Sequence, residues 1–119
     1  MKTVVLQEPG RLAWRDEAPP RPGRGEAVVR VLEVGVCGTD LHAFRGRQPF
    51  FTYPRVLGHE LCVEVESVGG GVDAALIGRR CVVRPYIHDA QSRASQRGRT
   101  NCCPELRVKV SRNFHSVVS

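Results

Sequence analysis

The chain has 119 residues, of which 41% are hydrophobic and 25% are charged, a balance typical of one soluble folded domain rather than a disordered chain. No run of about 18 apolar residues occurs, so no membrane-spanning helix is expected, and the N-terminal residues do not follow the pattern of a secretory signal. The formal net charge of +6 is interpreted as solvated surface and not as a nucleic-acid site, because the arginines are scattered and aromatic residues make up only 6%.

The first segments favour a β-hairpin. Residues 1–6 are rich in β-forming side chains, residues 8–10 predict a turn, and residues 11–16 predict the returning strand. Trp14 is expected to be a core residue or an anchor of this hairpin. The stretch 18–25 is rich in proline and glycine, which predicts a stiff extended connection.

The longest predicted strand covers residues 26–36. Both of its faces are largely apolar, which predicts a strand buried in the wall of a barrel. It ends at Cys37, and residues 39–45 predict a short helix with Thr39 or Asp40 near its N-cap.

An aromatic loop, residues 46–54, follows the predicted helix. Its aromatic residues are Phe50, Phe51 and Tyr53. They are equally suited to lining a substrate pocket and to packing against the edge of the domain.

The remaining chain predicts further short strands. Residues 61–66 alternate between apolar and polar side chains, the glycines 69–71 end this strand, and residues 81–85 and 106–110 predict two more. Many short strands with glycine turns and little helical periodicity predict an all-β domain, mainly β with short helices.

Five cysteines are present. An odd number, with no secretory pattern, argues against a framework of disulfide bonds and favours the reducing cytoplasm as the location. Adjacent Cys102 and Cys103 are not expected to form a disulfide with each other, because the geometry is strained.

Two short motifs carry the chemistry. Cys-Gly-Thr-Asp-Leu-His begins at Cys37, and Gly-His-Glu follows at residues 58–60. Cys37, His59 and Glu60 offer sulfur, nitrogen and oxygen atoms, the three ligand types that zinc accepts in proteins. The alternative is structural: a buried apolar thiol at Cys37 and a hydrogen-bonded loop histidine at His59.

The residues between these candidates suit proton transfer. Thr39 and His42 are three apart and would share one face of the predicted helix. Asp40 is a carboxylate of the kind that orients a metal-bound imidazole through its other ring nitrogen. The structural alternatives are a plain helix N-cap for Thr39 and a surface histidine for His42.

Together, Cys-Gly-Thr-Asp-Leu-His and Pro-Arg-Val-Leu-Gly-His-Glu resemble the N-terminal catalytic domain of the medium-chain, zinc-dependent alcohol and polyol dehydrogenases. The resemblance implies a partly open GroES-like β-barrel over residues 1–108 and leaves residues 109–119 as a divergent tail. It implies a catalytic zinc bound by Cys37 and His59, with Glu60 as a permanent or alternating ligand.

The activity that the resemblance implies is oxidation of an alcohol or polyol to a ketone or aldehyde, with hydride transfer to NAD or NADP. Thr39 would take the hydroxyl proton, His42 would pass it toward solvent through the cofactor ribose, and Asp40 would fix His59. Full-length members of the family are expected to be cytoplasmic homo-oligomers that use small molecules and neither nucleic acid nor membranes.

The cofactor half of such an enzyme is not evident in this chain. No Gly-x-Gly-x-x-Gly sequence lies between a predicted strand and helix, and the cofactor-binding residues therefore stay unknown. The chain alone is expected to be inactive as a dehydrogenase. The alternatives are a non-catalytic GroES-like binding or assembly module and an inactive remnant.

A second family feature is expected to be degenerate here. The resemblance implies an external lobe, about residues 87–103, in which four cysteines with two, two and seven residues between them bind a structural zinc. Counting back from Cys103 places these positions at Asp89, Ser92, Ser95 and Cys103. Since serine hydroxyls are poor zinc ligands, a metal-free loop is expected; weak binding by His88, Asp89 and Cys103 is the alternative.

Overall fold

The computed structural model describes residues 1–49 and 51–108. Its regular elements are mostly short strands, and within this part of the chain no helix is long and apolar enough to cross a membrane. In chain order they are β1 (Lys2–Glu8), β2 (Arg11–Asp16), β3 (Ala27–Gly35), α1 (Gly38–Phe44), β4 (Glu60–Val68), β5 (Arg80–Val82), β6 (Tyr86–Ile87), α2 (Arg93–Gln96) and β7 (Arg107–Val108), with 3₁₀ turns at Ala74–Leu76 and Thr100–Cys102.

The strands form three antiparallel groups. β1 pairs with β2, as the hairpin prediction required; β3, β4 and β5 form a sheet in that order; and β6 pairs with β7. An isolated bridge between Leu6 and Arg55 links the hairpin to the aromatic loop. The prediction of an all-β domain with short helices is confirmed.

The alternation predicted for β4 is confirmed and builds the core. Leu61, Val63 and Val65 point into the protein and are at most 8% exposed. They pack with Ala27 and Val29 of β3 in one cluster of buried side chains. Burying side chains of this size stabilises the fold by about 1.5–3 kcal/mol each.

The prediction that β3 is buried on both faces is correct only for its first three residues. Ala27, Val28 and Val29 are buried, but the strand is largely exposed from Arg30 onward, and Val34 is 51% exposed. β3 lies at the edge of its sheet, with β4 as its partner on one side, and the buried cluster uses Ala27 and Val29 near its beginning.

The prediction of Trp14 as a core residue is wrong. Trp14 pairs with Val4 across the hairpin, yet its side chain is 73% exposed. Leu12, two residues earlier on the same face of β2, is also exposed, at 52%.

Several predicted boundaries shift. β5 ends at Val82 rather than at residue 85, because only residues 80–82 pair with β4. The last predicted strand, residues 106–110, begins at Arg107, and its end lies outside the described residues, as does the tail 109–119.

The register of β3 against β4 positions the two chemical motifs. Gly35, the last residue of β3, lies opposite Glu60, the first residue of β4. Cys37 follows Gly35 by two residues and His59 precedes Glu60 by one, so antiparallel pairing brings both to the same end of the sheet.

Candidate metal centre

Cys37 and His59 meet at the end of the β3–β4 pair. The Sγ atom of Cys37 lies 3.4 Å from Nε2 of His59, although the two residues are 22 positions apart in sequence. Both side chains are half-buried, so the pair has protein on one side and access to solvent on the other.

Asp40 joins these two residues. Cys37 is the N-cap of α1 and Asp40 is the third residue of the helix. One carboxylate oxygen, Oδ2, accepts a hydrogen bond from the backbone N–H of Cys37 at 3.1 Å, and the other, Oδ1, lies 3.6 Å from Nδ1 of His59. Asp40 is only 8% exposed, so its position is fixed by both contacts.

Thr39 and Asp40 lie near the N-cap of the helix, as predicted, at its second and third residues. The helix begins at Gly38, with Cys37 as its N-cap residue. The carboxylate of Asp40, the third helical residue, accepts a hydrogen bond from the backbone N–H of the N-cap residue Cys37 and so caps the first turn of the helix.

The two ring nitrogens of His59 have different neighbours. Nε2 faces the thiol and Nδ1 faces Asp40. A metal-binding histidine usually uses one nitrogen for the metal and donates the other N–H to a carboxylate or carbonyl. The arrangement fits a metal held between Nε2 and the Cys37 sulfur, with Asp40 orienting the ring.

The donor set suits zinc. The nearest ligand atoms of Cys37, Asp40 and His59 all lie within 4.8 Å of one another. Within residues 1–49 and 51–108, this is the one group of three or more His, Cys, Asp or Glu side chains that converges in this way. A thiolate and an imidazole are common ligands of catalytic zinc, which keeps one position open.

Glu60 is not part of this converging group. Its carboxylate lies against the backbone of Gly35 on the neighbouring strand, where a Cβ at position 35 would overlap it. Glu60 is exposed, and it borders a cavity of about 400 Å³ together with His59, Cys62, Val82 and Pro85. Glu60 therefore needs a change of side-chain rotamer to join Cys37 and His59.

Thr39 and His42 both lie on α1, immediately after the thiol. Thr39 is half-buried and His42 is exposed. Their spacing of three places them on one side of the helix, as predicted.

Tyr53 has a role that the sequence did not reveal. Its hydroxyl donates a hydrogen bond of 2.6 Å to the carbonyl of Ala43, a fully buried residue in the last turn of α1. The backbone N–H of Gly10 donates to the carbonyl of Phe44 at 2.7 Å. These bonds satisfy carbonyls that a helix end leaves without partners inside the helix.

The structure favours packing over pocket lining for the described part of the aromatic loop. The guanidinium of Arg55 stacks 3.5 Å from the centre of the Phe51 ring. Burial lowers the pKa of the Arg55 guanidinium. The Tyr53 hydroxyl is hydrogen-bonded to the Ala43 carbonyl, and Phe50 lies outside the described residues.

The four positions of the predicted lobe also come together. The backbone N–H of Asp89 donates to Sγ of Cys103 at 3.4 Å, and the hydroxyl of Ser92 donates to that of Ser95 at 2.9 Å. Hydrogen bonding to the Ser92 hydroxyl, with smaller contributions from Asp89, Glu105 and Ser95, lowers the pKa of the Cys103 thiol.

Residues 23–115 match the model of the alcohol dehydrogenase GroES-like domain. The chain belongs to this family. The GroES-like form that the resemblance implies is thereby confirmed, and the strands of residues 1–49 and 51–108 form separate antiparallel groups rather than one closed barrel.

Several relatives of this GroES-like domain are dehydrogenases by name. It is 44% identical over 108 residues to L-galactonate-5-dehydrogenase of Escherichia coli K12, a match that covers 91% of this chain and 32% of that protein. It is 36% identical to an uncharacterized zinc-type alcohol dehydrogenase-like protein of Haemophilus influenzae, with 91% of this chain and 32% of that protein covered.

A solved structure has the same fold. The alcohol dehydrogenase RspB of E. coli CFT073, in complex with NADH, superposes with a TM-score of 0.85 at 33% identity, covering 98% of this chain and 34% of that one. The chain therefore spans about one third of the length of the relatives that it matches.

Proposed function

We propose that this chain is the zinc-binding catalytic domain, residues 1–108, of an NAD- or NADP-dependent alcohol or polyol dehydrogenase. The observation that carries the proposal is the convergence of Cys37, Asp40 and His59 at one end of the β3–β4 pair. Family membership supports it, as do the zinc-type relative and the NADH complex of RspB.

The chain's own residues would divide the work between holding metal and moving a proton. Cys37 and His59 hold the ion, and Asp40 keeps His59 in the tautomer that leaves Nε2 free to bind. When bound, zinc supplies a Lewis acid for the substrate oxygen, and the nicotinamide supplies a hydride acceptor. Thr39 accepts the hydroxyl proton at its side-chain oxygen, and His42 passes it on toward solvent.

Glu60 is proposed as the remaining ligand from this chain. It is adjacent to His59 in sequence and borders the same cavity. Its contact with Gly35 is at an exposed surface, so movement of the carboxylate toward the ion requires no rearrangement of the core.

The proposed substrate is a small polyhydroxylated alcohol. Support comes from the relative named for a sugar acid, L-galactonate-5-dehydrogenase. A cytoplasmic location and a homo-oligomeric full-length enzyme belong to the same proposal; the five free cysteines are consistent with a reducing compartment.

A chimera tests the proposed function. The matching segment of E. coli L-galactonate-5-dehydrogenase is replaced by residues 1–108 of this chain, and reduction of NAD and NADP is followed with a panel of sugar acids, polyols and simple alcohols. We expect turnover in the chimera that is lost with Cys37→Ser and retained with Cys62→Ser. A chimera that folds, binds zinc and NAD, and oxidises none of the panel would contradict the proposal.

A further inference from the structure

The loop between β6 and β7 is closed around one thiol. Cys103 is 5% exposed, whereas its neighbour Cys102 is exposed. The Asp89 N–H donates to the Cys103 sulfur at 3.4 Å, and in the same loop the Ser92 hydroxyl donates to the Ser95 hydroxyl at 2.9 Å. Four positions spread over 15 residues therefore make hydrogen bonds within one loop.

The backbone keeps these positions in place. Ser92 is the N-cap of α2, and its hydroxyl accepts a hydrogen bond from the Ser95 N–H at 3.2 Å. The Ser92 N–H donates to the carbonyl of Asp89 at 3.2 Å, and the Leu106 N–H donates to that of Cys103 at 3.1 Å. Successive turns thus hold the Asp89 N–H at the sulfur and the Ser92 and Ser95 hydroxyls in contact with each other.

A structural zinc does not fit this group. Only Cys103 offers a thiolate, and a closed zinc site needs four strong nitrogen, sulfur or carboxylate ligands. The carboxylate of Asp89 is used locally, since its Oδ1 accepts the N–H of Gln91 at 2.9 Å. Among the described residues, the converging set of metal-binding side chains is the one at Cys37, and it does not include these positions.

We propose that a metal-free hydrogen-bonded cluster of Asp89, Ser92, Ser95 and Cys103, centred on the Cys103 sulfur, closes this lobe in the place where relatives of the family bind a structural zinc. The Asp89 N–H and the paired hydroxyls of Ser92 and Ser95 occupy the positions at which the resemblance implies zinc ligands. The lowered pKa of the Cys103 thiol agrees with this arrangement, because hydrogen bonds to a thiolate favour the charged form. The lobe keeps its shape when zinc is removed.

The first test measures metal and amide exchange together. We expect at most one zinc per chain and none in the double variant Cys37→Ser/His59→Ala. Amide exchange in residues 89–103 should be the same with and without a chelator. A zinc ion that remains in the double variant and is lost on adding Cys103→Ser would overturn the proposal, as would exchange that rises in the lobe on chelation.

The second test compares two adjacent cysteines. Cys103→Ala removes the acceptor, so amides of residues 89–103 should exchange about tenfold faster or more, since exchange reports local opening. Cys102→Ser, at an exposed neighbour, should leave exchange unchanged, and neither variant should change zinc content. Equal exchange in the two variants would show that the sulfur is not the centre of the cluster.

The third test uses the geometry directly. The triple variant Asp89→Cys/Ser92→Cys/Ser95→Cys should gain one zinc, because four thiolates would then stand where the cluster stands. Replacing zinc by cobalt should give the charge-transfer absorption of a tetrahedral thiolate site. A folded triple variant without extra metal would show that the four positions do not converge, and the proposal would fail.

Discussion

The Nδ1 atom of His59 lies 3.6 Å from Oδ1 of Asp40, on the side of the ring opposite to the Cys37 sulfur. Asp40 also accepts the N–H of Cys37, so one buried carboxylate positions both proposed metal ligands. The geometry of the site therefore depends on a residue that does not itself need to bind the ion.

Asp40→Asn should weaken zinc binding about 10–100-fold, because the amide carries no charge and orients the imidazole less strongly. Competition with a chromophoric chelator measures the affinity. Asp73→Asn is the matched control, since Asp73 is an exposed carboxylate that also accepts a backbone N–H, from Ala75 at 2.9 Å. Equal zinc affinity in the two variants would show that Asp40 does not orient His59 for zinc binding.

Tyr53→Phe should destabilise the fold by about 0.5–1.5 kcal/mol, because the Ala43 carbonyl loses the hydrogen bond from Tyr53 and keeps that from the Gly46 N–H. Urea unfolding measures the change, and amides of α1 should exchange faster. Tyr86→Phe is the control, since that side chain is 52% exposed. If both variants have the same stability, the Tyr53 hydroxyl does not hold the end of α1.

Gly69→Ala should destabilise the fold by about 1–3 kcal/mol, because a Cβ there would overlap the backbone carbonyl of Gly23. The neighbouring Gly70 faces open space, so Gly70→Ala should change stability by no more than about 0.5 kcal/mol. The free energy of unfolding in urea decides between them. Equal free energies of unfolding in the two variants would mean that residue 69 does not lie in close contact with the backbone of residues 18–25.

The stability contributed by Cys103 should depend on pH. Its folded-state pKa is lowered, chiefly by the hydrogen bond from Ser92, so ionisation favours the folded state. This contribution is fully present above the unfolded pKa of about 8.5 and is lost as the pH falls through the folded pKa. The melting temperature of the unmodified protein should therefore rise relative to that of Cys103→Ser as the pH approaches about 8.5 from below.

A pH-independent difference between those two proteins would contradict the lowered pKa. Cys102→Ser, at an exposed thiol, serves as the control and should differ from the unmodified protein by a constant amount across the same range.

The sequence predicts the elements whose pattern is local. Alternation in β4 places Leu61, Val63 and Val65 in the core because the side-chain period of a strand is two. The pattern of β3 alone cannot predict that residues 30–35 are largely exposed, because burial of a strand's faces depends on which other segments pack against them. Of the two alternatives given for Trp14, the core position is wrong, whereas its pairing with Val4 agrees with a place in the hairpin.

The candidate site divides in the same way. The two motifs predict that Cys37 and His59, 22 residues apart, bind one metal ion, and the strand register then explains how the two residues meet. The hydrogen bond from Tyr53 to Ala43 depends on the path of the aromatic loop and has no local pattern. The position of Glu60 against Gly35 depends on a rotamer, which sequence spacing does not determine.

The most direct measurement is the metal content of the zinc-loaded chain with and without its proposed ligands. The unmodified protein and Cys62→Ser should each bind one zinc tightly, and Cys37→Ser and His59→Ala should each lose tight binding, because each removes one of the two converging ligands. Cobalt substitution adds a check, since the single change Cys37→Ser removes the thiolate and should abolish the thiolate charge-transfer band. Undiminished zinc in Cys37→Ser or His59→Ala would contradict the assignment of the metal centre.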